Sequence, residues 1–209
     1  MAVTMSDWIS REKMTREWRW GVPLIFGIIA LDQLTKAWVL ATSDFKALDC
    51  LSNYGCGKIE LSSIFDLTMT WNRGVSFGAF QAGDELARWG LFVVIGIIAV
   101  GFTLWLLRAE RWMTALALSM VIGGAVGNLI DRARFGAVVD FIDFSGPWFG
   151  WTIGPWPWSW PPGWVGTSFG VGFPWIFNVA DASITCGAVA LLLDQVLAGR
   201  KPHRLVGEP

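Results

Sequence analysis

GGAVGNLIDRARFGAVVDFIDF, residues 123–144, decides the fold. An apolar helical pattern runs to Asn128 and Asp131. It then gives way to arginines, a glycine and the β-like run Val138-Val139-Asp140-Phe141-Ile142-Asp143-Phe144. Fifty residues after Asn128, the stretch Phe177-Asn178-Val179-Ala180-Asp181 opens another long apolar segment. The same Asn-x-x-Asp spacing therefore closes one hydrophobic span and opens the next.

Composition sets the environment. Of 209 residues, 54% are hydrophobic and 16% charged, and the mean hydropathy is +0.48. Such a chain is too apolar for an ordinary soluble domain and is expected to be integral to a membrane. A net charge of −1 gives no reason to expect a nucleic-acid partner. The single histidine, His203, lies in the charged C-terminal tail, and Cys50, Cys56 and Cys186 are scattered. A zinc site of His and Cys ligands is not expected, nor any metal or cofactor.

Working outward, the chain reads as four spans, at about 21–41, 89–107, 112–130 and 175–197. The first carries Asp32 and Lys36, which interrupt its apolar core. That favours an uncleaved span over a signal peptide cut after Val39-Leu40-Ala41. Gly123 and Gly127 are small residues at four-residue spacing, suited to close helix approach. Segments 42–88 and 131–174 are long and more polar. In the first, Leu67-Thr68-Met69-Thr70-Trp71 alternates like a strand. The second becomes dense in Trp, Gly and Pro over 145–175, read as an irregular insertion lying at or dipping into the membrane interface.

The basic residues orient the chain. Arg11, Lys13, Arg16, Arg19, Arg108, Arg111, Arg200, Lys201 and Arg204 crowd the two tails and the short 108–111 loop. The positive-inside rule then places both termini in the cytoplasm and both long segments outside. The expected architecture is one mainly α integral membrane domain of four helices. A small extracytoplasmic β-element from parts of 60–80 and 137–144 completes it.

Asp131 and Asp181 fall near the same outer face in that topology. Two neighbouring carboxylates cannot both ionise easily, which suits one to activate water and the other to protonate a leaving group. Asn128 precedes Asp131 by one helical turn, and Asn178 stands in the same relation to Asp181. A carboxamide there can bond a carboxylate, a water or a substrate carbonyl. The bland alternative is that the aspartates only pair with Arg132, Arg134 or Lys36 to hold helices together. On the residues alone both readings stay open. A histidine-based triad or a Cys-His pair lacks its base, and no phosphate-binding glycine loop appears.

Five elements, taken in order, resemble those of lipoprotein signal peptidase (signal peptidase II), a bacterial intramembrane aspartic protease family. They are Asp32-Gln33-Leu34-Thr35-Lys36; Asn72-Arg73-Gly74-Val75-Ser76-Phe77-Gly78; Gly123 through Arg132; Val138-Val139-Asp140-Phe141; and Phe177-Asn178-Val179-Ala180-Asp181. The resemblance implies an aspartic endopeptidase of the inner membrane that removes signal peptides from diacylglyceryl-modified prolipoproteins, cutting before the lipid-bearing cysteine. It implies Asp131 and Asp181 as the catalytic pair. Asn72, Gly74, Asn128, Arg132, Asn178, Ala180, Asp32 and Asp140 become substrate-binding or supporting residues. Prolipoproteins and membrane lipids are the expected partners, and a monomer the expected state. The chain departs from the pattern between Asp143 and Phe177, a longer stretch holding seven tryptophans.

Two rivals are weighed against this reading. A proton-coupled transporter needs polar residues leading to the cytoplasmic face, and the inner halves of spans two to four are nearly all apolar. A non-catalytic scaffold would use the aspartates only as ion-pair partners. Cys50 and Cys56 would lie outside, where a disulfide or two thiols are possible. Cys186 is expected to be a packed small residue.

Overall fold

The computed structural model describes residues 16–43, 45, 55–74, 85–144, 152–153, 169–170 and 173–199. Cys50, Arg11, Lys13, Arg200, Lys201, Arg204, Ser76-Phe77-Gly78 and most of the Trp-rich insertion lie outside them. The elements in order are α1 (Trp18–Ala41), β1 (Gly55–Glu60), β2 (Asp66–Asn72), α2 (Glu85–Leu106), α3 (Trp112–Phe135), β3 (Val138–Phe144), β4 (Thr152–Ile153), β5 (Phe169–Gly170), β6 (Phe173–Phe177) and α4 (Val179–Gly199). Among the described residues, four helices are long and apolar enough to cross a membrane.

Several helix boundaries differ from the sequence reading, and two of them bear on the site. The third helix continues past Asp131 to Phe135 rather than stopping at 130. Arg132 and Arg134 fall in its last turn, where cations favour the helix C-terminus and so prolong it. Gly136 then ends it at φ 73°, with its N–H donating to the Arg132 carbonyl at 3.0 Å, a left-handed cap. The fourth helix starts at Val179 rather than 175, because Phe173–Phe177 is a strand. Pro174 sits near the start of that strand, a place where a missing N–H is tolerated.

The chain divides into two compact units. The first contains Met1–Leu31, Phe92–Asn128 and Ala180–Pro209. Its core gathers Leu106, Ala109, Ala115, Leu118 and Ile122, with Trp18, Ile25, Phe102, Val126 and Leu191 packed against them. Glycines set the helix spacing here. A methyl group at Gly124 would strike the Ala180 carbonyl and lie 2.8 Å from the Ile184 side chain, so α3 and α4 meet backbone to backbone. Gly123 packs on Ile28 and the Ile25 carbonyl of α1, which suits the small-residue reading of this stretch. At the other end of α4, Asp194 is buried. It takes the Arg111 guanidinium at 2.7 Å and a short hydrogen bond from Thr114. Cys186, expected to be packed, is exposed on α4.

The second unit contains Asp32–Leu91 and Leu129–Val179. It holds a four-stranded antiparallel sheet in the order β1-β2-β3-β6. The alternation read in β2 is real: Leu67, Met69 and Trp71 point into a core with Val139, Phe141, Ala137, Val39 and Phe45. The opposite face of β2 carries Thr68, Thr70 and Asn72. Asn72 pairs with Val138, and Thr70 with Asp140. Asn72 and Asp140 are therefore diagonal neighbours on one face of the sheet. At its far end Asp66 and Asp143 are cross-strand partners, and Lys58 of β1 reaches Asp66 at 2.7 Å and Asp143 at 3.9 Å.

Candidate active site

Three carboxylates in polar settings account for the sequence candidates. The first is Asp140, buried on β3. Its Oδ2 accepts from Asn72 Nδ2 at 3.1 Å, and its Oδ1 accepts from Asn178 Nδ2 at 2.6 Å. The orientation of Asn72 is fixed from behind. Its Oδ1 accepts the Gly74 N–H at 3.1 Å, which leaves the NH₂ group aimed at Asp140. The Gly74 carbonyl in turn accepts from Arg132 Nη2 at 3.0 Å. Arg132 thus pins the backbone turn that carries Asn72. Asn178, fully buried, also donates to the Val139 carbonyl at 3.3 Å. It lies before α4 rather than within it, so its carboxamide turns to β3.

The second carboxylate is Asp131, fully buried near the end of α3. The Lys36 ammonium lies 2.8 Å from its Oδ2, and the Val139 N–H donates to the same oxygen at 3.2 Å. Gln33 Nε2 donates to Oδ1 at 2.9 Å. Lys36 also holds Asp32 at 2.8 Å, one turn before it on α1. Asp32 and Lys36 are 0% and 2% exposed, so this is a buried cluster of two carboxylates around one ammonium. Such clusters persist only when charges and hydrogen bonds are matched. Gln33 is the member the sequence reading passed over. Its place beside Asp32, one turn before Lys36, was visible; its reach to Asp131, 98 residues away, was not.

The third is Asp181, half-buried in the first turn of α4, where the helix N-terminus favours negative charge. Asn128 Nδ2 donates to its Oδ1 at 2.8 Å. The structure thus joins Asn128 to Asp181, Asp32 to Asp131 through Lys36, and Asn72 and Asn178 to Asp140. Gly74 serves as the turn that Arg132 restrains. Ala180 is fully buried, and its carbonyl faces Gly124. Among the described residues, no cluster of three or more His, Cys, Asp or Glu is arranged to hold a metal ion. The N–H donors hold these carboxylates in fixed orientations.

A family model described as signal peptidase (SPase) II matches residues 24–197. A lipoprotein signal peptidase of Methylorubrum extorquens (strain PA1) is 35% identical over 178 residues, covering 85% of this chain and 86% of that protein. One from Sphingopyxis alaskensis (strain DSM 13593 / LMG 18877 / RB2256) is 36% identical over 189 residues, covering 89% and 91%. A solved structure described as a bacterial membrane enzyme, determined by the in meso method at 2.3 Å, superposes with a TM-score of 0.63. It shares 22% identity and covers 90% of this chain and 94% of that one, a likeness of fold.

Proposed function

This chain belongs to the signal peptidase II family, and from that premise we propose that it is a membrane-embedded aspartic endopeptidase. Its substrates are diacylglyceryl-modified prolipoproteins, cut just before the lipid-bearing cysteine. It works in the bacterial inner membrane as a multi-pass protein, with its termini in the cytoplasm and its active site near the outer face. Membership of a peptidase family leaves the transporter and scaffold readings without support.

In the mechanism one carboxylate accepts a proton from water as the water oxygen attacks the scissile carbonyl carbon. A second, protonated carboxyl group gives its proton to the departing amine. Asp181 and Asp131 are the pair that the sequence puts forward. The observation that carries this is the Asn128–Asp181 hydrogen bond. Asp131 follows Asn128 by three residues on α3, on the same face and about 4.5 Å along the axis.

A second pairing, Asp181 with Asp140, is favoured by one specific difference. Asp140 accepts hydrogen bonds from two neutral carboxamides, whereas Asp131 serves as counter-ion to Lys36. In this reading Asp131 anchors α3, and Asn72 and Asn178 orient Asp140.

Single Asp→Asn variants separate the two. Asp131→Asn leaves Lys36 its other counter-ion, Asp32, so this variant folds. The assay uses purified protein in detergent and a diacylglyceryl-modified prolipoprotein, scored by gel shift. Asp181→Asn should cut at least about a hundredfold more slowly than wild type. If folded Asp131→Asn still cuts while Asp140→Asn does not, the pair is Asp140 and Asp181; the reverse result restores Asp131. Full activity in Asp181→Asn would end the two-aspartate mechanism.

A further inference from the structure

Arg88 and Arg134 play no part in that chemistry, and both belong to the second unit. Arg88 stands at the start of one apolar span, and Arg134 in the last turn of another. These are the heights at which lipid headgroups meet water. The Arg134 guanidinium is exposed and lies over the Phe135 ring at 4.7 Å, giving one N–H to Gln33 Oε1 at 3.2 Å. The Arg88 guanidinium lies 5.4 Å from the Trp89 ring centroid and passes over Gly136. A side chain at Gly136 would put its first carbon 2.6 Å from Arg88 Nη1, so the glycine that caps α3 also makes room for this cation. Two guanidinium groups are thereby brought to consecutive residues, Phe135 and Gly136.

Their charge is only partly answered. Arg88 meets Glu85 at 3.3 Å, but that carboxylate is 80% exposed, and such pairs are weak. Arg88 Nε is buried and has no hydrogen-bond partner among the described residues, a costly state for a donor. Trp89 and Phe135 stay 46% and 40% exposed beside the cations and offer apolar, interfacial surface. Arginine donors match a phosphate diester in charge and geometry, and the rings match the glycerol and first acyl carbons below it.

We propose that Arg88 and Arg134, with Trp89 and Phe135, form a binding site for the phosphate diester of a membrane glycerophospholipid. The site is independent of the protease chemistry. It anchors the ends of α2 and α3 to the headgroup layer and supplies Arg88 with a second anionic partner beside Glu85.

The test is native mass spectrometry of the full chain released from detergent micelles. The probes are dioctanoyl phosphatidylglycerol, dioctanoylglycerol with the same chains but no phosphate, and glycerol 3-phosphate with no chains. Wild type should retain phosphatidylglycerol about tenfold more tightly than Arg88→Gln/Arg134→Gln and discriminate against both other probes. Lys58→Gln, which removes a cation elsewhere in the same unit, should bind like wild type. Arg88→Gln alone leaves the Arg134–Gln33 bond intact. It should weaken retention with an unchanged melting temperature, which separates lost binding from lost fold. Equal retention by wild type and the double variant, or equal retention of the phosphate-free glyceride, overturns the site. Equally tight glycerol 3-phosphate would refute a lipid as its ligand.

Discussion

Lys36 is the cation at the centre of the buried Asp32–Asp131 cluster. Its ammonium lies 2.8 Å from Asp32 and 2.8 Å from Asp131, both sealed from water. Lys36→Met takes this cation from two buried carboxylates and should cost about 3–5 kcal/mol. Asp131→Asn, which keeps a one-to-one pair, should cost clearly less. Thermal unfolding in detergent compares them, and equal melting temperatures would refute the counter-ion role. Lys58 gives a pH prediction at the same scale. The hydrogen bond to Asp66 and the nearby Asp143 raise its pKa above the ordinary 10.5, against a smaller opposing effect of burial. A raised pKa means that the folded state holds this proton more tightly than the unfolded chain. The resulting stabilisation is complete below pH 10.5 and disappears as pH climbs through the higher folded value. The gap in melting temperature between wild type and Lys58→Met should therefore be constant through neutral pH and narrow above 10.5. Lys58 is 40% exposed, so the gap will be small.

At the scale of elements, the α3–α4 packing rests on a glycine with no room for substitution. Gly124→Leu would force a side chain against the Ala180 carbonyl and Ile184, pushing apart the helices that carry Asn128 and Asp181. Destabilisation of about 1–3 kcal/mol is expected. Cleavage should also fall by more than the loss of folded protein explains, which activity per folded molecule would reveal. This scale also shows what could be read in advance. The four spans were legible because hydrophobic length needs no knowledge of partners, and β2 because its apolar residues alternate. The true end of α3 was not. Charges at Asp131, Arg132 and Arg134 look like a stop, yet two of the three favour a helix C-terminus. Strand β6 was hidden within a Trp-, Gly- and Pro-rich run whose composition argues for irregular structure. The setting of Asp140 was hidden for another reason. Its two carboxamide partners lie 68 and 38 residues away, and only the folded sheet brings them together. The Asn128–Asp181 bond, 53 residues apart, was hidden in the same way: the repeated Asn-x-x-Asp spacing relates each asparagine to the aspartate of its own stretch, and the fold exchanges the partners.

For the whole molecule, the buried pairing of Lys36 with Asp32 bears on biogenesis. Both residues belong to α1, four positions apart, so the first hydrophobic span carries its own counter-ion. During synthesis that helix must enter the bilayer long before α3 has left the ribosome. Either charge alone at mid-helix would cost about 2.5–3.5 kcal/mol at the translocon. Paired on one helical face, they can partition as a near-neutral dipole, while Asp131 reaches them only when the third span arrives. The segment would then be competent for insertion in isolation. Asp32→Ala should leave a larger fraction of nascent chains with the first span stranded outside the membrane, scored by glycosylation mapping of a fusion carrying only residues 1–60. Undiminished insertion would mean that the pair matters only after assembly.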